Sequence, residues 1–355
     1  MSLLKGMVSL SRYKAEGNLP SDFWSWLNRQ IIQNGFMDIE GSITDKSLGW
    51  VSVHDYFDVS FSFESYNLNP YVCLSLRQDK RTISAALVRK YHRLEINRMR
   101  ESQPDVRLSK PDREMLKEKA RLQLLNRIPP QTTTWELCWH TIRGEVWLTT
   151  GSRALLDAGQ ELFQKSFAPL RLIPLLPWMS EDNRPLTPTL IQEKSTLGQE
   201  FLTWLWWMSE SGEIFKLPDK CQLNLTLGER LSLSPLFGHE GSRVGVAGKD
   251  QRMAEAREAL RQGKLLDRLR LGISIGDLEY WLTLDAVWLS PRSVRLPSSA
   301  GNEEQGLDSD GLALERLFLL EALTTALDQL FTVFLQRRPP AEGMAWPKFI
   351  NWLGQ

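Results

Sequence analysis

Apolar positions along this chain change period several times, and each change marks an element. Residues 3–10 form an extended apolar run and predict a strand. From 21 to 33, Phe23, Trp26, Leu27 and Ile31 recur at helical spacing behind Ser21, a candidate N-cap. Stretches 49–53, 58–63 and 71–76 read as strands, the first two by the period-two alternation of a half-buried strand. Two long helices are predicted next, 82–101 and 109–127. Ser109-Lys110-Pro111-Asp112 opens the second in a capping pattern with an early proline, and Pro129-Pro130 ends it. Two helices joined by a short linker, here 103–107, make an antiparallel hairpin. The β pattern returns at 132–141 and 145–149, turning at Arg143-Gly144, before a helix at 152–167 and a strand at 170–175.

The proline-rich stretch 174–188 is the expected domain boundary. Beyond it the pattern predicts a helix at 197–208 and strands at 222–227, 230–234 and 243–246. A helix at 253–262, strands at 264–273, 278–285 and 287–295, a polar acidic loop at 298–311 and a long amphipathic helix at 312–336 follow. The class is α+β, with mixed sheets, helices and a protruding long helical hairpin, and no regular βαβ repeat. Expected domains are 1–180, an N-terminal α+β domain carrying the inserted basic hairpin 80–128, and 181–355, a C-terminal α+β domain ending in the long helix.

Composition adds a soluble character, with 42% hydrophobic and 24% charged residues. The apolar segment 317–335 is interrupted by Glu321 and Asp328, which argues against a membrane span. The N-terminus lacks the apolar stretch of a signal peptide, so the expected location is the cytoplasm, in a bacterial protein. Cys73, Cys138 and Cys221 are odd in number and far apart, fitting buried small hydrophobes better than a disulfide framework. The formal net charge is zero, yet residues 77–127 hold 15 Lys and Arg against 7 Asp and Glu. That local +8 leaves −8 elsewhere, an asymmetry that points to a polyanion partner.

Enzymatic constellations find no support. Gly272-Ile273-Ser274-Ile275-Gly276 has the spacing of a nucleophile elbow, but a strand follows it and the last histidine, His239, precedes it. Gly248-Lys249 lacks the Ser or Thr and the spacing of a phosphate loop. His54, His92, His140 and His239 show no metal-ligand spacing, and Asp308-Ser309-Asp310-Gly311 lacks the remaining ligands of a calcium loop. No catalytic residue, metal or cofactor is expected. The fourteen tryptophans, including Trp204, Trp206 and Trp207, fall in apolar periodic segments and read as core or interface.

The basic hairpin carries the one persuasive pattern. At 100° per residue, Arg93 lies about 40° and Arg100 about 20° from Arg89. On the second helix Lys117, Lys110 and Arg121 lie about 40°, 60° and 80° from Arg113. Like charges stacked at i,i+4 destabilise an isolated helix. Their grouping suits an anionic ligand, and phosphates, whose binding releases counterions, are the natural one. The competing reading is a solvated face partly neutralised by Glu95, Glu101, Glu114 and Glu118.

In its order of motifs the chain resembles the RdgC family of recombination-associated proteins. The resemblance rests on Met7-Val8-Ser9-Leu10, Leu48-Gly49-Trp50-Val51 and Ile83-Ser84-Ala85-Ala86-Leu87-Val88-Arg89. Arg107-Leu108-Ser109-Lys110, Leu116-Lys117-Glu118, Leu124-Leu125-Asn126-Arg127 and Gly144-Glu145-Val146-Trp147-Leu148 continue it. Leu172-Ile173-Pro174-Leu175 and Ala259-Leu260-Arg261-Gln262-Gly263-Lys264 complete it. The resemblance implies a ring-shaped homodimer around double-stranded DNA, little sequence preference, competition with the recombinase RecA and a place in the nucleoid. It implies DNA contacts from Lys249 and Arg252. With Arg89, Arg93, Arg100, Lys110, Arg113, Lys117 and Arg121, the expected DNA-binding set is completed by Arg81, Lys90 and Arg127. One departure stands out: where the family commonly uses an aromatic residue to close the ring, this chain has Ile128-Pro129-Pro130-Gln131. A protein-interaction module, such as a nuclease inhibitor presenting the acidic remainder to a basic cleft, is the alternative.

Overall fold

The structure, a computed structural model, describes residues 3, 6–103, 108–178, 190–216, 222–235, 241–248, 251–297, 309–338 and 351–352. Most of the linker 103–107, the proline-rich boundary, the acidic loop and the tail lie outside the described residues, as do Cys221 and Lys249. The elements run β1 (Ser11–Glu16), α1 (Phe23–Gln33), β2 (Lys46–Val51), β3 (Asn67–Leu68), β4 (Tyr71–Lys80), α2 (Ala85–Ser102), α3 (Lys110–Leu125), β5 (Gln131–His140), β6 (Glu145–Leu148), α4 (Arg153–Phe167) and β7 (Arg171–Pro174). They continue with α5 (Leu190–Ser211), β8 (Phe215–Lys216), β9 (Gln222–Pro235), β10 (Val244–Ala247), α6 (Gln251–Arg261), β11 (Lys264–Ile275), β12 (Leu278–Asp285), β13 (Pro291–Arg295) and α7 (Ser309–Arg337). The class is α+β with two antiparallel sheets. One has the order β2-β4-β5-β6-β1-β7 with β3 beside β4, the other β10-β9-β11-β12-β13 with β8 beside β9.

Two compact units divide the chain. One comprises Gly17–Cys138 with Asp157–Arg171, the other Met1–Glu16 with Trp139–Leu156 and Leu172–Gln355. In the first, the core gathers Trp50, Phe163 and Phe167, with rings of Trp50 and Phe167 5.6 Å apart. The Trp50 indole N–H donates to Ser166 at 2.8 Å, so a wholly buried polar atom is satisfied. Cys73 and Cys138 are buried there, and the neighbouring Cys73 together with burial pushes the Cys138 thiol up, away from reactivity.

In the second unit, Phe201 and Trp204 of α5 pack on Phe331 and Phe334 of α7. By length and composition α7 is apolar enough to cross a membrane, unlike the interrupted run read from sequence. Asp328, partly exposed on this helix, accepts from both terminal nitrogens of Arg12 at 2.8 Å. Burial works against the Arg12 charge, but Asp328 and Glu145 outweigh it and raise its pKa. The helix is the apolar spine of its unit.

Several expected boundaries move for identifiable reasons. The first strand is Ser11–Glu16 rather than 3–10, where Val8 makes only an isolated bridge to Val294. The expected strand at 58–63 does not form: Phe61 takes a φ of 49°, and a short 3₁₀ turn follows at Phe63–Ser65. The strands expected at 222–227 and 230–234 are one strand, β9, irregular where it passes β11. The one expected at 287–295 is shortened to Pro291–Arg295 behind a turn with Leu289 at φ 48°. Asp22, not Ser21, occupies the N-cap of α1. Ser274 lies inside β11, paired with Asn224 and Glu279, and the β11–β12 turn is Gly276-Asp277.

Candidate nucleic-acid interface

Both helices of the basic hairpin begin at side-chain caps. Ser84 accepts from the Leu87 N–H, and Ser109 and Asp112 form a reciprocal capping box with Pro111 in the first turn. Ser109 holds the Asp112 carboxyl below the usual carboxylate range. The seam between α2 and α3 is built on Glu95, which is buried at 3% exposure. It accepts from Gln123 at 3.4 Å and pairs with Lys119 at 2.9 Å and Arg98 at 2.7 Å. Lys119 chiefly, with Gln123 and Arg98, holds its carboxyl below the ordinary range against the opposing effect of burial. Further along, Arg127 donates to the Tyr91 hydroxyl at 3.2 Å and lies over that ring. Contacts 91–127 and 95–123 descend one helix as they climb the other, so the pair is antiparallel.

That seam fixes where the cations go. On α2 the seam residues Tyr91 and Glu95 centre near 220°, and Arg89, Arg100 and Arg93 lie about 140–180° ahead of them. On α3 the seam of Leu116, Lys119, Ala120 and Gln123 centres near 290°, and Arg113, Lys117, Lys110 and Arg121 lie about 70–150° ahead. Viewed along one axis, antiparallel helices advance in opposite rotational senses. Rows displaced ahead of facing seams therefore emerge on the same side of the pair. Six of the cations thus lean to one side of the hairpin and Arg93 stands opposite the seam, so all seven are turned away from the helix–helix contact.

Their pairing is uneven. Lys117 is 3.9 Å from Glu114, and Arg121 reaches Asp45 at 2.9 Å and Glu118 at 3.8 Å. Arg89, Lys90, Arg93, Arg100, Lys110 and Arg113 are exposed and make no ion pair among the described residues. Lys90 sits about 100° off the α2 row. Arg127 is exposed but engaged with Tyr91.

Arg81 is a correction to the expected set. It is buried at 6% exposure, and its guanidinium donates to the carbonyls of Ile128, Ser42, Thr44 and Ile39 at 2.8–2.9 Å. Every nitrogen is committed to backbone, leaving none for a ligand. Lys249 lies outside the described residues. Arg252 falls in α6, but its side chain is not described. The sequence reading missed the role of Glu95, treating as a surface neutraliser what is the buried clamp of the seam. Only Arg98, three residues on, was a local signal; Lys119 and Gln123 reach Glu95 from the other helix.

Among the described residues no group of three or more His, Cys, Asp or Glu side chains could hold a metal ion. No curated protein matches the chain. A family model described as "Putative exonuclease, RdgC" matches residues 9–274. The match takes in the capped hairpin, the Glu95 seam, β9 and all but the last residue of β11, and with three quarters of its length so covered the chain belongs to the RdgC family.

Proposed function

We propose that the protein binds double-stranded DNA without sequence preference, through the cationic face of the α2–α3 hairpin. The observation that carries this reading is the set of seven exposed Lys and Arg turned away from the α2–α3 seam, five of them without an ion pair among the described residues. Helical rows of unneutralised cations suit the regularly spaced phosphates of a duplex, and phosphate contacts position a protein without reading sequence. In keeping with its family resemblance, the protein acts as a ring-shaped homodimer around DNA in the bacterial nucleoid. There it modulates recombination by limiting access of RecA, and it binds rather than cleaves.

Charge reversal tests the reading. Arg89, Arg93, Arg113 and Lys117 changed together to Glu should abolish duplex binding while the melting temperature stays near wild type, because exposed charges shift stability by only about 0.5 kcal/mol each. Lys165→Glu with Arg171→Glu, both exposed in the same unit, is the control and should retain most of the affinity. Wild-type affinity in the fourfold variant would refute the assignment. Release of nucleotides from labelled DNA with magnesium present would refute the non-enzymatic reading.

A further inference from the structure

A second arginine cluster lies on the other unit, on the sheet of β9 to β13. Along β11, Leu269, Leu271 and Ile273 are buried while Arg268 and Arg270 face outward, so one face of this sheet is open. A cleft of about 570 Å³ opens there, lined by Arg230 from β9, Arg270 from β11, Trp281 from β12 and Arg295 from β13. None of the three arginines makes an ion pair among the described residues, and Glu229 is the one carboxylate among the lining residues. Trp281, half-buried, lies across Gly272: a Cβ at that glycine would stand 3.1 Å from its ring. Its indole N–H donates to Glu279 at 2.7 Å, which fixes the ring's orientation.

The backbone is shaped around these side chains. The β9–β11 ladder slips in register between Leu269 and Leu271, at Arg270, and the β12–β13 ladder slips between Trp281 and Thr283. Such bulges re-aim side chains and concentrate beside functional sites. Gly228 makes room for Arg270, because a Cβ there would stand 2.7 Å from the arginine stem. A second cleft of about 310 Å³ continues from the same Trp281 and Arg295 towards Leu296 and Pro297.

We propose that this cleft binds an unpaired nucleotide of a single DNA strand, its base stacked on Trp281 and its phosphates held by Arg230, Arg270 and Arg295. Three guanidinium groups around a fixed aromatic platform match the needs of a single strand: cations for the backbone and a flat face for each base. The volume suits a ligand of that size. Duplex bases cannot use the site, because their faces are covered by stacked neighbours. The second cleft carries the strand past the indole. Its carboxylates Asp277 and Glu279 leave the arginine side to take the phosphates.

The proposal is independent of the hairpin reading and is tested separately from it. Full-length protein is irradiated with a short oligothymidylate carrying 5-iodouracil, and crosslinked residues are located by mass spectrometry. Crosslinking at Trp281 is expected. Trp281→Ala should weaken oligothymidylate binding about tenfold, Trp281→Phe should restore most of it, and duplex affinity should stay unchanged in both. Arg270→Ala with Arg295→Ala, which removes exposed and half-buried charges without opening the core, should weaken it at least as much. Crosslinks confined to other segments would overturn the proposal. So would oligothymidylate affinity unchanged in the double arginine variant, or losses that fall equally on duplex and single strand. Protection of Trp281 by free thymidine monophosphate without any oligonucleotide crosslink would overturn the strand as occupant.

Discussion

The basic stretch 77–127 contains two regions that use arginine in opposite ways. At its start, on and just beyond β4, Arg77 and Arg81 are buried and fully engaged. Arg77 grips Asp79 with two hydrogen bonds at 3.0 and 2.7 Å and lies 4.2 Å from the Phe36 ring. Arg81 ties four carbonyls together. A few residues later, on α2, Arg89 and Arg93 stand in solvent with no carboxylate partner among the described residues. The local charge of +8 counts both regions equally, although only the second is available to a ligand. Charge density along a sequence is a clue to function only after the buried, paired fraction has been subtracted.

The largest effect that sharpens this contrast is on stability. Arg81→Ala leaves four carbonyls without their shared donor and should cost roughly 3 kcal/mol or more, read as a lowered midpoint in urea. The folded fraction should bind duplex DNA with wild-type affinity. A stable Arg81→Ala protein that loses DNA binding would erase the distinction between the two regions.

A smaller effect belongs to the seam. Glu95→Gln should cost about 1 kcal/mol, since Lys119 and Arg98 are themselves largely solvated and give little each. The sign with pH follows from the lowered pKa of the Glu95 carboxyl. A depressed acid contributes stability that is complete above the ordinary glutamate value, roughly 4.3, and is lost as pH falls through the folded value. The wild-type advantage over Glu95→Gln should therefore be constant near neutrality and shrink in acid. An advantage that grows in acid would contradict the assignment. A smaller shift still is expected from Asn in place of Asp112: loss of the capping carboxylate should fray the start of α3 and lower DNA affinity less than twofold, measured by fluorescence anisotropy.

The hairpin was legible in the sequence because its signals are local: Ser109 and Asp112 three apart, Pro111 in the first turn, Pro129-Pro130 after the end. The angular spread of the cations was legible for the same reason. Whether the two rows share a side was not, because that depends on which residues meet at the seam, and Glu95 looks like any surface acid. β1 escaped notice because Arg12 and Lys14 make it look solvated, whereas Arg12 is buried against Glu145 and Asp328, the latter 316 residues away. Arg81 was misassigned for a kindred reason: its partners Ile39, Ser42 and Thr44 offer carbonyls, which leave no trace in side-chain identity. The cleft at Trp281 draws on four strands and was invisible to any linear window.

The central claim is that Arg89, Arg93, Arg113 and Lys117 contact phosphates. The most direct measurement is the slope of log K against log salt for duplex binding, compared between wild type and the variant with all four changed to Ala. Each phosphate contact contributes about −0.9 to that slope. The account predicts a wild-type slope steeper than the variant's by roughly three to four units, the same for unrelated duplex sequences. Equal slopes in the two proteins would contradict it.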